Sequence, residues 1–111
     1  MQTLTIETFD DFIKNADKPV LVDFWAEWCP PCRVMEPVLD QLSTELAGEL
    51  LVAKVNSDEN PQISARYRVL GLPTMITFVQ GEPVLSITGA RSKRSLLAEL
   101  ESHLVGLPAT A

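Results

Sequence analysis

Residues 20–33 read VLVDFWAEWCPPCR, in which an apolar run leads directly into two cysteines. The run over residues 20–26 is apolar on both faces of an extended chain, which is typical of a central strand. Beyond the cysteines, apolar residues recur at helical spacing over residues 33–47. The stretch therefore predicts a buried strand whose end opens a helix, with Cys29 and Cys32 at the junction.

Short apolar runs alternate with amphipathic stretches along the rest of the chain, a pattern that indicates an α/β domain. Strands are predicted at residues 3–6, 50–55, 74–79 and 84–88, and the short link between the last two predicts an antiparallel hairpin. Helices are predicted over residues 8–15, 60–66 and 92–104, the last with Ser92 as its N-cap. Residues 106–111 show no periodicity, so we expect one domain over residues 1–105 and a flexible C-terminal tail.

The length and charge of the chain restrict its class. With 111 residues it forms one domain, and its net charge of -6 argues against a nucleic-acid partner. No apolar run approaches the roughly 18 residues that a membrane span needs. The first residues lack the basic start and apolar stretch of a secretory signal, so we expect a cytoplasmic protein. We also expect it to be a monomer.

The spacing of the two cysteines favours redox chemistry over a structural role. A disulfide that closes so short a loop constrains the unfolded chain little, and the cytosol keeps thiols reduced. The start of a helix favours negative charge, which predicts an exposed thiolate at Cys29 and a more shielded thiol at Cys32. Cys29 would then attack a disulfide, and Cys32 would resolve the mixed disulfide. A zinc site is the alternative, but only His103, which we expect to be a solvated helix cap, remains as a nitrogen or sulfur ligand.

A carboxylate lies in the middle of the apolar strand. Burial raises the pKa of a carboxyl, so Asp23 is a candidate for the group that takes the proton Cys32 must lose before it attacks. The alternative is a structural role, in which Asp23 caps a backbone group or pairs with a cation. Lys54, in the apolar run at residues 52–55, could be that cation. On the favoured hypothesis, Lys54 tunes the proton transfer by Asp23.

Four blocks of sequence together resemble the thioredoxin family. They read VDFWAEWC at residues 22–29, VAKVN at 52–56, GLPT at 71–74 and TGA at 88–90. The resemblance extends in order from about residue 3 to residue 104. It implies a thioredoxin-like α/β fold, with a central mixed five-stranded sheet, four flanking helices and the active site at the start of the second helix. It further implies an enzyme that reduces disulfide-containing proteins, with no bound cofactor and with electrons supplied from NADPH by a thioredoxin reductase.

The resemblance also implies how a substrate binds. Pro73 would be a cis-proline packed against the disulfide, and the backbone of Leu72 would pair with an extended substrate segment. An apolar surface around Cys29, here called the docking surface, would consist of Trp28, Pro31, Leu72, Pro73, Gly89 and Ala90. Surface packing of Trp28 and a turn requirement at Gly89 are compatible with this role.

Two positions depart from the family pattern. Pro30 and Pro31 stand where the family usually has Gly-Pro, as they do in the tryparedoxins of peroxide-detoxifying pathways, and Thr88 replaces a common aliphatic residue. We expect the two prolines to tune the redox potential. A dedicated electron donor to one pathway, such as a peroxiredoxin, is the alternative within this class. A redox-independent binding or chaperone subunit is the alternative from another class, and it would need neither the cysteines nor Asp23.

Overall fold

The computed structural model of the protein describes residues 1–104, in which strands and helices alternate until the last two strands follow one another. The strands are β1 (Gln2–Leu4), β2 (Val20–Trp25), β3 (Leu51–Asn56), β4 (Thr74–Val79) and β5 (Glu82–Thr88). The helices are α1 (Phe9–Asn15), α2 (Pro30–Glu45), α3 (Pro61–Arg66) and α4 (Lys93–His103). The tail predicted at residues 106–111 and the domain end predicted at residue 105 lie outside the described residues.

The strands form one sheet in the order β1-β3-β2-β4-β5. β3 pairs in parallel with both β1 and β2, whereas β4 runs antiparallel to β2 and to β5. This arrangement confirms the predicted mixed five-stranded sheet and, within residues 1–104, the four helices. Strand β2 lies at the centre of the sheet, which explains its continuous apolar sequence.

Helices pack on both faces of the sheet. One core cluster joins α2 and α4 to the face that carries Leu21 and Val52. A second cluster joins α1 and α3 to the opposite face, which carries Val22 and Ala53. Because successive residues of a strand point to opposite faces, Asp23 lies on the same face as Leu21 and is directed toward α2.

Strand β1 ends at Leu4 rather than at the predicted Ile6. The N–H of Thr5 donates to Thr8 Oγ1 at 2.9 Å, and the N–H of Ile6 donates to Asn60 Oδ1 at 3.0 Å. Side chains distant from the sheet ladder therefore satisfy these backbone groups, and the strand stops before them.

Helix α2 begins at Pro30, earlier than the predicted Arg33, and ends at Glu45 rather than Ala47. The N–H groups of a first helical turn have no partner within the helix, so Pro30 and Pro31 lose no hydrogen bond there. The two cysteines thus lie at the start of the helix and within its first turn, as the sequence predicts.

The predicted hairpin is confirmed, with β4 and β5 joined through Gln80 and Gly81. Both residues have positive φ angles, 51° and 82°, which is the requirement of a two-residue type I′ turn. Strand β5 begins at Glu82 rather than the predicted Val84. It tolerates Pro83 because it is an edge strand of the sheet.

Helix α4 is capped as predicted, with Ser92 Oγ accepting the N–H of Ser95 at 3.1 Å. Its residues Leu96, Leu97 and Leu100 are buried in the core. Within residues 1–104, every helix is too short or too polar to span a membrane.

Candidate active site

Cys29 and Cys32 are joined by a disulfide at the point where β2 leads into α2. Cys29 is the N-cap of the helix, and its Sγ accepts the N–H of Cys32 at 3.3 Å. Pro30 and Pro31, which separate the cysteines, have no N–H. The first N–H that the helix offers to Cys29 is therefore that of Cys32, and it is shared between Cys29 Sγ and the carbonyl oxygen of Cys29, the latter at 3.1 Å.

The two cysteines do not differ in exposure. Cys29 is 2% exposed and Cys32 is 3% exposed, because Ala26, Trp25 and Leu72 pack around the pair. The expectation that Cys29 is exposed and Cys32 more shielded is therefore wrong for the disulfide form. The feature that distinguishes the two sulfurs is the hydrogen bond that Cys29 accepts at the start of α2.

The predicted docking surface has exposed and buried members. Trp28 is 67% exposed, Pro31 and Ala90 are exposed, and Leu72 is half-buried against the cysteines. The Leu72–Pro73 peptide bond is cis, as the resemblance implies. Pro73 itself is buried, so the exposed part of the docking surface is formed by its neighbours.

Gly89 connects the docking surface to the segment that contains Pro73. Its N–H donates to the carbonyl oxygen of Pro73 at 2.8 Å, and its φ of 96° is one that residues with a side chain rarely adopt. The predicted turn requirement at Gly89 is thus confirmed. Near this turn, Thr88 Oγ1 lies 3.3 Å from Thr74 Oγ1, a contact that an aliphatic residue at position 88 could not make.

Asp23 is buried, and its Oδ1 has no hydrogen-bond partner among the described residues. The pKa of Asp23 is raised to about 7: burial is the largest cause, the negative charge of Glu36 adds to the rise, and the positive charge of Lys54 opposes it. The carboxyl therefore exchanges its proton near neutral pH, which is the range in which a general base is effective. The rise that the sequence predicts is confirmed.

Lys54 is the register partner of Asp23 on β3, but its ammonium group pairs elsewhere. Lys54 Nζ lies 3.2 Å from Glu36 Oε1 and 5.3 Å from the centre of the Trp25 ring. The alternative in which Lys54 forms an ion pair with Asp23 is therefore wrong. Glu36 was not predicted from the sequence, although it lies one helical turn after Cys32, on the same side of α2.

These side chains meet in a cleft beside the disulfide. Asp23, Cys32, Glu36 and Lys54 all line this cleft, which has a volume of about 380 Å³. A volume of that size accommodates several water molecules. The cleft thus gives Asp23 and Cys32 a shared path to solvent.

His103 lies far along the chain, at the end of α4, and is exposed. Its Nδ1 is 3.0 Å from the carbonyl oxygen of Glu99, so it caps the helix as predicted. Among residues 1–104, the His, Cys, Asp and Glu side chains form no group that could hold a metal ion.

Comparison with known proteins agrees with this geometry. The thioredoxin family model matches residues 1–102. Over 102 residues the chain is 46% identical to a thioredoxin of Alicyclobacillus acidocaldarius, covering 92% of this chain and 96% of that protein. Over 104 residues it is 45% identical to a thioredoxin of Mycobacterium tuberculosis, covering 94% of this chain and 90% of that protein. It is also 43% identical to a bifunctional thioredoxin reductase/thioredoxin of Mycobacterium leprae, covering 94% of this chain and 23% of that protein.

Proposed function

Because the chain belongs to the thioredoxin family and is a thiol–disulfide oxidoreductase, we propose that it reduces protein disulfides, with Cys29 as nucleophile and Cys32 as resolving thiol. The observation that carries these roles is the hydrogen bond from the Cys32 N–H to Cys29 Sγ at the start of α2. A donor at that position, together with the positive end of the helix dipole, favours the thiolate at Cys29.

The reaction takes place in two exchanges. The Cys29 thiolate attacks one sulfur of the substrate disulfide, which forms a mixed disulfide and releases the other sulfur as a thiolate. Cys32 then loses its proton and attacks Cys29 Sγ, which closes the Cys29–Cys32 disulfide and releases the second substrate thiolate. The substrate gains two electrons, and the cysteine pair loses them.

Asp23 takes the proton of Cys32 in the second exchange. Both residues line the same cleft, and a carboxyl whose pKa is about 7 accepts and returns a proton at neutral pH. Water in the cleft carries the proton between them. Lys54 tunes the step, because its positive charge stabilises the carboxylate of Asp23.

The docking surface binds the substrate around Cys29. The exposed ring of Trp28, with Pro31 and Ala90, offers apolar contact, and Leu72 offers an unpaired backbone segment before β4. Pro73 supports this surface from beneath. Specificity for unfolded or extended segments follows, since main-chain pairing needs an extended partner.

The reaction needs no bound cofactor, because the electrons reside in the cysteine pair. We propose that a thioredoxin reductase restores the dithiol with electrons from NADPH; the fused reductase and thioredoxin of Mycobacterium leprae supports such a partnership. A protein that must be kept reduced fits the cytoplasm, where thiols are maintained in that state. One domain over residues 1–105, acting as a monomer, is sufficient for the reaction.

Turnover of a protein disulfide with NADPH and a thioredoxin reductase tests the proposal. The wild type should reduce the disulfide catalytically, and Cys29→Ser should be inactive. Cys32→Ser should retain the first exchange and accumulate a mixed disulfide, which mass spectrometry would locate at Cys29. A mixed disulfide that forms at Cys32 in Cys29→Ser faster than one forms at Cys29 in Cys32→Ser would reverse the two roles. The trapped proteins would also separate a general reductant from a donor dedicated to one pathway.

A further inference from the structure

Glu36 links the helix of the resolving cysteine to the strand beside Asp23. It lies four residues after Cys32 on α2, and its Oε1 reaches Lys54 Nζ on β3 at 3.2 Å. The side chain of Glu36 is about half exposed, at 52%, whereas Asp23 is buried. The ion pair therefore lies toward the solvent side of the cleft, with Asp23 at its inner wall.

Two carboxylates, those of Asp23 and Glu36, lie near Lys54 and line the same cleft. Lys54 is the register partner of Asp23, yet its ammonium group pairs with Glu36 and lies over the ring of Trp25. The Oδ1 of Asp23 is left without a hydrogen-bond partner among residues 1–104. A cation paired directly with a carboxylate would favour its charged form and weaken it as a proton acceptor.

We propose that Glu36 is a positioning residue for the resolving step: it holds the Lys54 ammonium away from Asp23, which leaves Asp23 free to take the proton of Cys32. This inference rests on the proposed role of Asp23. An ion pair that is this exposed contributes little to stability, so a structural role alone gives a weak account of it.

The charges that face Asp23 come from several elements. Glu36 raises the pKa of Asp23 and Lys54 lowers it, as the signs of their charges require. Glu27, before α2, and Arg33, on α2, also line the cleft, and the Arg33 guanidinium donates to the carbonyl oxygen of Glu27 at 2.7 Å. The N-terminal residue Met1 lines the cleft as well. Among the described charged groups, Lys54 is the cation that β3 directs into the cleft.

The first measurement is the titration of the Asp23 carboxyl by carbon-13 NMR in the oxidised protein. In Glu36→Gln, Lys54 is released and can turn to Asp23, so the pKa of Asp23 should fall by about one unit. Glu45→Gln is the matched control, because Glu45 lies on the same helix and pairs with Lys93 at 2.7 Å. It should leave the titration of Asp23 unchanged. If the pKa of Asp23 falls equally in both variants, or does not fall in Glu36→Gln, the proposal is wrong.

A second pair of variants separates the holding of Lys54 from direct repulsion between the two carboxylates. In a Lys54→Met background there is no ammonium to hold, so adding Glu36→Gln should lower the pKa of Asp23 by less than half as much as it does in the wild type. If the fall is the same in both backgrounds, Glu36 acts on Asp23 by repulsion alone and the proposed positioning is wrong.

Kinetics of the resolving step complete the test. In Glu36→Gln, the acid midpoint of the resolution rate should move down in pH by the same amount as the Asp23 titration. If the titration moves and the kinetic midpoint does not, the proton-transfer role of Asp23 fails, and the positioning role fails with it. If neither moves while Asp23→Asn still slows resolution, the proposed function stands and the inference about Glu36 fails.

Discussion

The indole Nε1 of Trp28 donates a hydrogen bond to Asp58 Oδ2 at 2.8 Å, across 30 residues of sequence. Asn56, at the end of β3, shapes the loop that brings Asp58 there: its Oδ1 accepts the N–H groups of Asp58 and Glu59 at 2.9 and 3.1 Å. A ring that is two-thirds exposed would otherwise sample several rotamers, so this bond fixes the largest apolar element of the docking surface.

Asp58→Ala should therefore weaken binding of protein substrates without altering the cysteine chemistry. We expect the KM for a protein disulfide to rise several-fold, because the Trp28 ring must then be ordered on binding. The rate with a small disulfide, such as an aromatic disulfide reagent, should stay unchanged. Glu59→Ala is the control, since Glu59 is the exposed neighbour and only its backbone takes part in the loop. Equal effects on large and small disulfides would contradict the positioning of Trp28.

Asp23→Asn should slow the resolution of the mixed disulfide far more than the initial attack by Cys29. The amide cannot accept the proton of Cys32, and loss of a general base lowers a rate by roughly 10²–10⁴-fold. Stopped-flow measurement of the two exchanges with a protein disulfide separates the steps. Unchanged resolution in Asp23→Asn would remove Asp23 from the mechanism.

The same substitution should change how stability depends on pH. Burial raises the pKa of Asp23 to about 7 in the folded protein, above its value in an unfolded chain. Between these values the folded state binds more protons than the unfolded state, so the contribution of Asp23 to stability falls as pH rises through this window. Relative to the wild type, the free energy of unfolding of Asp23→Asn should thus rise by on the order of 4 kcal/mol from pH 4 to pH 8.

Urea unfolding of the oxidised proteins at pH 4, 6 and 8 measures this change. Asp40→Asn is the control, because Asp40 is exposed on α2. The difference in free energy of unfolding between this variant and the wild type should stay constant over the three pH values. A constant difference for Asp23→Asn as well would mean that folding does not raise the pKa of Asp23.

In the reduced protein, Cys29 should be alkylated before Cys32. The hydrogen bond from the Cys32 N–H and the helix dipole both stabilise negative charge on Cys29, and only the thiolate reacts quickly. Limited treatment with iodoacetamide at neutral pH, followed by mass mapping, identifies the labelled residue. The single variants Cys29→Ser and Cys32→Ser supply the rate of each thiol alone. Faster labelling of Cys32 would reverse the proposed assignment.

Local sequence patterns were sufficient to predict most of the strands and helices and the final hairpin, whereas the mixed five-stranded sheet was implied by the family resemblance. Residues 20–26 are apolar on both faces of an extended chain, which identifies a central strand. The spacing of Cys29 and Cys32 after this strand identifies the redox pair. Glu36 and Asp58 could not be predicted in the same way, because each acts through a partner brought close only by the folded sheet. The end of β1 likewise depends on Asn60, a side chain distant in sequence.

Pro30 departs from the family pattern at the redox pair itself. Pro30 and Pro31 are the first two residues of α2, and the donor to Cys29 Sγ is the N–H of Cys32, the third. Side chains at an N-cap normally accept from the second or third N–H of the helix. Pro30→Gly restores only the first N–H, which is not one of these donors.

Pro30→Gly should therefore change the redox potential by no more than about 30 mV, which corresponds to about 1.4 kcal/mol in a two-electron couple. The greater freedom that Gly gives the chain acts on both redox states, so most of its effect cancels. Equilibration of the two proteins with glutathione measures the potentials. Pro61→Gly is the matched control, because Pro61 is the first residue of α3 and distant in sequence from the cysteines; its potential should equal that of the wild type. A gap approaching 100 mV between Pro30→Gly and the wild type would show that Pro30 sets the potential directly.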